Sequence, residues 1–348
     1  MLPETDIRPV TWHDSAVRII DQTVLPGELT YLDLGTVEQL IEAIQRLAVR
    51  GAPALGVAGA YGVALALLTN NAGPESLANL RAARPTAVNL AAGVDRAAAR
   101  IEEGFDAVLA EAHAFLAEEL AANRRLSQLG ADWLLQRVGA AEGQPLRLLT
   151  HCNAGALATA GWGTALGVVR ELHTRGLVEV VYVDETRPLL QGSRLTAWEL
   201  GRLGIPHLVQ ADGAAAGTIV SGSVDAAIVG ADRIAANGDT ANKVGTLGVA
   251  LACAHADVPF LVAAPTSTVD LNTPSGTDIH VELRNEAEVL GWPGAAALVA
   301  PRDSRGHNPA FDVTPAELVS ALTTERGVVQ INRGELPGTL WAGAVSEG

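Results

Sequence analysis

The chain lacks the residues that mark several specialised classes of protein. Of its 348 residues only two are cysteines, Cys152 and Cys253, with no CxxC pair, and its eight histidines form no HExxH motif. A disulfide framework and a zinc site are therefore not predicted. Basic residues are also few, since 24 lysines and arginines against 39 acidic residues give a formal net charge of −15. Such a charge repels polyanions and anionic membranes, so we expect no nucleic-acid partner and no membrane partner.

Long hydrophobic runs and a signal sequence are missing as well. The longest apolar run, 53–68, is shorter than the about 20 residues of a membrane span, and its three glycines are typical of a closely packed buried helix. Residues 1–6 are acidic and lack the basic and then apolar order of a signal peptide, so a cytoplasmic location is expected. Aromatic residues make up 4% and hydrophobic residues 48%, enough for a large core rich in alanine.

The spacing of apolar residues divides the chain into two parts. Short alternating segments within residues 8–33 predict a small β-piece, and helices are predicted from Pro53, over 88–101 and over 105–138. Later residues alternate between predicted strands at 146–150, 178–183, 206–209, 225–229, 259–263 and 327–331 and predicted helices near 163–174, 192–203, 214–220 and 243–254. The fold class is therefore α/β: a small β-piece plus helical N-terminal domain (1–125), followed by a Rossmann-like doubly wound parallel sheet domain (126–348).

Two reactive side chains each follow a predicted buried strand. Cys152 comes after strand 146–150, and Asp232 comes after strand 225–229. Ligands bind outside the carboxyl ends of the strands of such sheets, so a thiol and a carboxylate there indicate an acid–base pair. A cysteine beside the N–H groups of a helix start can act as a base or nucleophile, whereas a free cysteine is otherwise a small core residue, as suits Cys253. We predict that Cys152 and Asp232 are catalytic.

Other polar residues are candidates for binding an anion or hydroxyl groups. Asn242 and Lys243 follow an Asn-Gly-Asp turn at 237–239 and lie beside the predicted helix start at 243. Arg50 and Gly51 precede the helix start at Pro53, where free N–H groups and a forked cation favour phosphate, although an ordinary capped turn explains them too. Asp184 ends strand 178–183 and is a further candidate, with a surface ion pair between Glu185 and Arg187 as the simpler interpretation of its loop.

A glycine-rich segment with Gly161, Gly163 and Gly167 is close to a dinucleotide-binding fingerprint. Asp184 also lies at about the right distance for a ribose contact. The first glycine should turn directly off the strand, yet Gly161 follows Thr150 by about ten residues. The spacing therefore argues against a nicotinamide cofactor.

Segments spread over nearly the whole chain carry a resemblance to one family. They are RGAPA at 50–54, RPTAVNL at 84–90, THCNAG at 150–155, DETRP at 184–188, QGSRLT at 191–196, GADRI at 230–234, KVGT at 243–246, TPSG at 273–276, NPAFDVTP at 308–315 and NRGEL at 332–336. In this order they resemble the methylthioribose-1-phosphate isomerase family. Its wider group includes ribose-1,5-bisphosphate isomerases and the regulatory subunits of a translation-factor exchange complex.

The resemblance implies an aldose–ketose isomerase of methionine salvage that uses neither a metal nor an organic cofactor and forms a homodimer. It implies that Cys152 and Asp232 are the catalytic pair. The residues implied to hold the sugar phosphate are Arg50, Gly51, Ala52, Arg84, Gln191, Asn242 and Lys243. Arg84 and Gln191 depend mainly on the resemblance. Two alternatives stay open, a ribose-1,5-bisphosphate isomerase and a regulatory subunit that senses a sugar phosphate or nucleotide without turning it over.

Overall fold

A computed structural model describes residues 7–84, 88–139, 143–292 and 299–342. The chain divides into two compact units, Met1–Arg125 with Ala154–Gly167, and Leu126–Asn153 with Val168–Gly348. Three residues of the 84–90 motif, Pro85, Thr86 and Ala87, and the acidic residues 1–6 lie outside the described residues. Domains at 1–125 and 126–348 stay a prediction.

The first unit combines a small antiparallel sheet with helices. Its strands are β1 (Val10–His13), β2 (Ala16–Ile20) and β3 (Tyr31–Leu34), in the order β1-β2-β3. The helices are α1 (Val37–Gln45), α2 (Ala52–Leu68), α3 (Pro74–Arg81), α4 (Val88–Ala98) and the beginning of α5 (Phe105–Val138). A capping box between Thr36 and Gln39 explains why α1 begins at Val37.

Helix α2 forms the centre of the first unit. Its residues 52–66 are all buried, which explains why the run is apolar on every face. Glycine allows α4 to pack very closely against it, since a Cβ at Gly93 would lie 2.0 Å from the carbonyl oxygen of Gly56. The predicted buried, closely packed helix is thus confirmed. None of the described helices combines the length and hydropathy of a membrane span.

The second unit contains a seven-stranded sheet with helical crossovers. Its strands are β4 (Leu146–Thr150), β5 (Val178–Asp184), β6 (His207–Gln210), β7 (Ala226–Val229), β10 (Phe260–Ala263), β13 (Ala321–Thr324) and β14 (Gly327–Val329). They lie in the order β14-β13-β10-β7-β4-β5-β6, and every pair is parallel except β13 with β14. The crossover helices are α6 (Ala165–Thr174), α7 (Ala197–Arg202), α8 (Ala215–Val220) and α9 (Thr246–Ala256). This strand order confirms the predicted α/β class with a Rossmann-like parallel sheet.

A smaller sheet was not predicted. It consists of β8 (Arg233–Ala235), β9 (Thr240–Lys243), β11 (Val269–Asp270) and β12 (Phe311–Thr314), in the order β11-β8-β9-β12. The prediction that Lys243 begins a helix is wrong, because Asn242 and Lys243 end β9 and α9 begins only at Thr246. Two short helices complete the unit, α10 (Ala287–Leu290) and α11 (Thr339–Ala342).

Candidate active site

The strands that precede Cys152 and Asp232 are neighbours at the point where the strand order reverses. From β4 the chain adds β5 and β6 on one side, and then returns to add β7 and β10 on the other. β4 and β7 are parallel, pairing Leu148 with Ala226 and Leu149 with Ala227. Cys152 and Asp232, both half-buried, therefore follow the carboxyl ends of adjacent strands. A crevice suited to ligands opens at such a reversal.

Cys152 lies on a tightly held turn. Its φ is +63°, a left-handed conformation that a non-glycine residue adopts at a cost. Its backbone N–H donates to Thr186 Oγ1 at 2.8 Å, and its carbonyl accepts from Thr196 Oγ1 at 2.7 Å. Cys253 is fully buried, and burial raises the pKa of its thiol to about 12, so the predicted core role of Cys253 is confirmed.

His151 and Asp184 form a buried pair next to Cys152. His151 Nδ1 lies 3.0 Å from Asp184 Oδ2, and His151 Nε2 lies 2.9 Å from the carbonyl oxygen of Val244. Burial lowers the pKa of His151, but the hydrogen bond and charge of Asp184 outweigh it, so that pKa is raised overall. Sequence reasoning considered Asp184 without its partner. The one available signal was the position of His151 at the end of a buried strand, directly before Cys152.

Arg187 binds backbone carbonyl oxygens, and the ion pair with Glu185 that the simpler interpretation of this loop suggested is not formed between these described residues. Its Nη2 donates to the carbonyl oxygens of Glu288, Val289 and Gly291, at 3.3, 2.9 and 2.9 Å. Its guanidinium also lies 4.6 Å from the ring centroid of Trp292. Arg187 thus fastens a distant segment to the loop that leads to Gln191.

Gln191 is a site candidate whose buried side-chain oxygen has no hydrogen-bond donor among the described residues. It lies directly before a turn of π-helix, Gly192–Thr196, and is 7% exposed. Its Oε1 is fully buried and has no hydrogen-bond partner among the described residues. A buried carbonyl without a donor costs free energy unless a ligand or water satisfies it. The side chain is therefore suited to accept a hydrogen bond from a bound molecule.

The small sheet brings Asp232 close to Asn242 and Lys243. Strands β8 and β9 pair Arg233 with Ala241, and the N–H of Asp232 donates to the carbonyl of Ala241 at 2.9 Å. Asn242 is 5% exposed and donates from Nδ2 to Thr246 Oγ1 at 2.9 Å. The pairing with Ala241 thus fixes the backbone at Asp232 and Arg233, and Thr246 fixes the side chain of Asn242.

Lys243 is a buried cation. Its Nζ donates to the carbonyl of Ala310 at 2.5 Å and lies 4.7 Å from the ring centroid of Phe311. A carbonyl and an aromatic face both attract an ammonium group, and the charge of Lys243 also acts to lower the pKa values of Glu288 and Asp312. Lys243 therefore contributes positive potential at this place in an acidic protein.

The turn at 237–239 serves the fold rather than a ligand. Asp239 Oδ2 accepts from Asn237 Nδ2 and from the N–H of Gly276, both at 2.8 Å. Asp239 Oδ1 accepts from the N–H of Ala316, also at 2.8 Å. The carboxylate thus joins three separate segments, and the hydrogen bonds lower its pKa below the ordinary value although burial opposes them.

The remaining candidates lie in the first unit. Gly51, with φ +100°, precedes α2, and a Cβ there would lie 2.3 Å from the carbonyl oxygen of Ala158. Arg50 Nε donates to Gln22 Oε1 at 3.1 Å, and Gln22 Nε2 donates to the carbonyl of Leu157 at 2.8 Å. Helix α2 begins at the buried Ala52, one residue before the predicted start at Pro53, so the proline is its second residue. Arg84 is half-buried and lies three residues after α3.

One histidine and two aspartates, His151, Asp184 and Asp212, are residue types that bind metal ions and lie close together. Ligand atoms of His151, Asp184 and Asp212 lie within 4.8 Å of one another. Asp212 already accepts the N–H groups of Thr186 and Arg187, at 2.7 and 2.6 Å, and Asp184 Oδ1 accepts from Gln210 Nε2 at 2.9 Å. The group therefore fits a hydrogen-bonded network better than a cation site.

The glycines near residue 161 do not form a dinucleotide turn. A 3-10 turn, Ala156–Ala158, separates them from β4, so Gly161 is not directly off a strand. Gly163 instead bridges to Gly155, where a Cβ at Gly163 would lie 3.0 Å from the Cα of Gly155. This geometry differs from the tight turn directly after a strand that a dinucleotide fingerprint forms.

Comparison with known proteins finds relatives whose names agree on one family. The chain matches the model of the Initiation factor 2 subunit family over residues 48–331. It is 53% identical to the methylthioribose-1-phosphate isomerase of Anaeromyxobacter dehalogenans, over 93% of this chain and 94% of that protein. It is 50% identical to a probable bifunctional methylthioribose-1-phosphate isomerase/methylthioribulose-1-phosphate dehydratase of Nocardia farcinica, over 98% of this chain but only 62% of that longer protein.

Two solved structures are similar throughout. One is 5-methylthioribose 1-phosphate isomerase from Pyrococcus horikoshii, with a TM-score of 0.86, 38% identity and 98% of each chain covered. The other is described as translation initiation factor eIF-2B, subunit delta, from A. fulgidus, with a TM-score of 0.82, 40% identity, and 93% and 96% of the two chains covered. With the motifs and the strand order described above, these likenesses show that the chain belongs to the methylthioribose-1-phosphate isomerases, within the Initiation factor 2 subunit family.

Proposed function

We propose that this protein converts 5-methylthioribose 1-phosphate to 5-methylthioribulose 1-phosphate, a step of methionine salvage. The observation that carries the proposal is the pairing of β4 with β7, which puts Cys152 and Asp232 after the carboxyl ends of adjacent strands. The relatives with this activity in their names cover nearly the whole chain, which supports the same reaction here.

The substrate explains why an acid and a thiol are needed. A ribose with phosphate on its anomeric carbon does not open spontaneously to a free aldehyde. We propose that protonated Asp232 donates its proton to the ring oxygen as the ring C–O bond breaks. Cys152 as a thiolate then takes the proton from C2 and returns it to C1 through an enediol, and the carboxylate of Asp232 takes the proton of the C2 hydroxyl as the ketone forms, which restores the acid. In a direct hydride shift from C2 to C1, Cys152 would instead stabilise the transition state.

We propose that the sugar phosphate is held by the residues that the resemblance implies. Gln191 offers a buried acceptor to a hydroxyl group, and Lys243 offers a cation to the phosphate. Arg50 and Arg84 supply two further cations, which the net charge of −15 makes necessary for an anionic ligand. The list of proposed binding residues is Arg50, Gly51, Ala52, Arg84, Gln191, Asn242 and Lys243.

A direct assay with purified protein tests the function. We expect turnover of 5-methylthioribose 1-phosphate without added metal or cofactor. The changes Cys152→Ser and Asp232→Asn should each lower kcat by several hundredfold or more, on the order of the loss of an acid or base, while thermal unfolding stays close to that of the wild type. Near-normal turnover in either variant would remove that residue from the mechanism. Solvent deuterium at C1 of the product would favour the enediol path over the hydride shift.

The likeness to a protein described as a translation initiation factor subunit favours a second candidate, a sugar-phosphate or nucleotide sensor that does not turn over its ligand. Binding of 5-methylthioribose 1-phosphate in calorimetry with no product after prolonged incubation would support the sensor. Ribose 1,5-bisphosphate, tested in the same assay, separates the related isomerase, which requires a second anion site for the 5-phosphate.

A homodimer and a cytoplasmic location belong to the same proposal. Both rest on the resemblance to the family. Sedimentation velocity should give about twice the 35.9 kDa chain mass. A species of single-chain mass at micromolar concentration would contradict the dimer.

A further inference from the structure

Both ring nitrogens of His151 are in contact with hydrogen-bond acceptors. A carbonyl oxygen can only accept, so His151 Nε2 must donate to Val244 at 2.9 Å. Asp184 Oδ2 faces His151 Nδ1 at 3.0 Å, while Asp184 Oδ1 accepts from Gln210. An imidazole that donates from both nitrogens to a carbonyl and a carboxylate is an imidazolium. Both side chains are 1% exposed, so this charged pair is shielded from water.

The His151 ring joins three segments that carry site residues. It precedes Cys152 in the chain, and through Asp184 it reaches the loop that leads to Gln191. Through Val244 it reaches the end of β9, directly after Lys243.

Thr186 adds a second connection along the same route. Its hydroxyl donates to the carbonyl of Asp184 at 2.9 Å, and its oxygen accepts the N–H of Cys152 at 2.8 Å. The segment that the ring binds through Asp184 therefore also holds the backbone N–H of Cys152 directly.

The residue after Val244 leaves room for the ring. A Cβ at Gly245 would lie 2.6 Å from His151 Cε1, and Gly245 has φ +110°. Any side chain at that position would press on the imidazole. The backbone beside β9 is thus shaped around His151.

We propose that His151 is a positioning residue for the isomerisation, holding the Cys152 turn in its left-handed conformation against β5 and the segment after β9 by donating from both ring nitrogens. This inference rests on the proposed function of Cys152. Without the two ring hydrogen bonds the turn relaxes toward a commoner backbone conformation, which moves the sulfur. Small displacements of a reacting group lower the rate of the chemical step far more than they weaken substrate binding.

Two substitutions test the two hydrogen bonds separately. His151→Asn keeps an N–H near the position of Nδ1, and His151→Gln keeps one near the position of Nε2. We expect each to lower kcat by about 10- to 100-fold with KM changed by less than about threefold. His255→Gln, an exposed histidine in the last turn of α9, is the matched control and should keep wild-type kinetics.

Alkylation of Cys152 by iodoacetamide gives a readout that does not depend on turnover. The buried Cys253, with its raised pKa of about 12, should not react in the folded protein, and Cys152→Ser serves as the blank. We expect the alkylation rate of Cys152 to change at least about fivefold in both His151 variants, because the turn that presents the sulfur has moved. If the wild-type protein shows no isomerase activity but both His151 variants still show the changed alkylation rate, the proposed function is contradicted and the role of His151 is supported.

Wild-type kcat and wild-type alkylation in both variants would overturn the inference. If the variants do not fold, the wild-type protein still decides it. In protein labelled with ¹⁵N-histidine, one buried histidine should show two exchange-protected ring N–H signals at neutral pH. Their absence would exclude a ring that donates from both nitrogens.

Discussion

Arg147 and Asp225 clasp the amino ends of the two strands that lead to Cys152 and Asp232. Asp225 Oδ2 accepts from the backbone N–H of Arg147 at 2.7 Å, Asp225 Oδ1 accepts from Arg147 Nη2 at 2.6 Å, and the N–H of Asp225 donates to the carbonyl of Arg147 at 2.8 Å. This contact sets the register of β4 against β7. The relative position of the carboxyl ends of β4 and β7 therefore depends on a pair of residues at the amino ends of the same two strands.

Asp225→Asn should lower the free energy of unfolding by about 1 kcal/mol at pH 7, because it weakens charge-assisted hydrogen bonds that are partly exposed to water. Burial raises the pKa of Asp225, but its bonds to Arg147 outweigh this and lower it. The contribution is thus present above the ordinary carboxyl pKa and lost as pH falls through the lowered one. Urea unfolding at several pH values measures it. Asp257→Asn, at a side chain 95% exposed, is the control, and an equal loss there would contradict the prediction.

Gln191→Leu should separate binding from stability. The buried Oε1 lacks a partner among the described residues, so its removal should leave the melting temperature unchanged or raise it. We expect KM to rise about tenfold, because a bound substrate would lose a hydrogen bond to a buried acceptor. Gln136→Leu, on the exposed face of α5, should change neither value. An unchanged KM in Gln191→Leu would remove this side chain from the binding site.

Gly245→Ala should lower the free energy of unfolding by about 1–3 kcal/mol, since alanine is strained at positive φ and its Cβ would press on His151. Thermal unfolding and kcat should both fall. Gly248→Ala is the matched control in α9, because a Cβ there meets nothing within 4 Å. That change should stabilise the protein by about 0.5–1 kcal/mol through helix propensity. Equal effects of the two changes would contradict the packing at Gly245.

His151 should make stability depend on pH in a defined direction. Because the pKa of His151 is raised in the folded state, its contribution is complete below the ordinary value of about 6.5 and is lost as pH rises through the raised value. The difference in unfolding free energy between wild type and His151→Gln should therefore shrink as the pH rises from about 6.5 through the raised pKa. Urea titrations across this range measure it, and a difference that grows with pH would refute the assignment.

Elements with strong local patterns were predicted closely. Helix α5 spans Phe105–Val138 as its apolar spacing predicted, and β4 occupies Leu146–Thr150 because an uninterrupted apolar run suits a strand covered on both faces. The strand-end positions of Cys152 and Asp232 followed from these runs. Their assignment as catalytic residues stays a prediction.

The small sheet could not be predicted because its pairing is long-range. Asn242 and Lys243 have low strand propensity, yet β9 pairs with β12 nearly seventy residues later, opposing Asn242 to Asp312. Strand β13, Ala321–Thr324, was missed because its run is short and half polar. The pair of His151 with Asp184 was missed for the same reason, since its members are 33 residues apart.

Because the strand order reverses between β4 and β7, proteins with this sheet can change their catalytic residues and still keep a ligand-binding crevice. The gap that it opens depends on the path of the backbone and not on which side chains stand at 152 and 232. A descendant that lost the thiol and the carboxyl would still keep a place for a small molecule. Catalyst and sensor can thus share one architecture and differ by a handful of side chains.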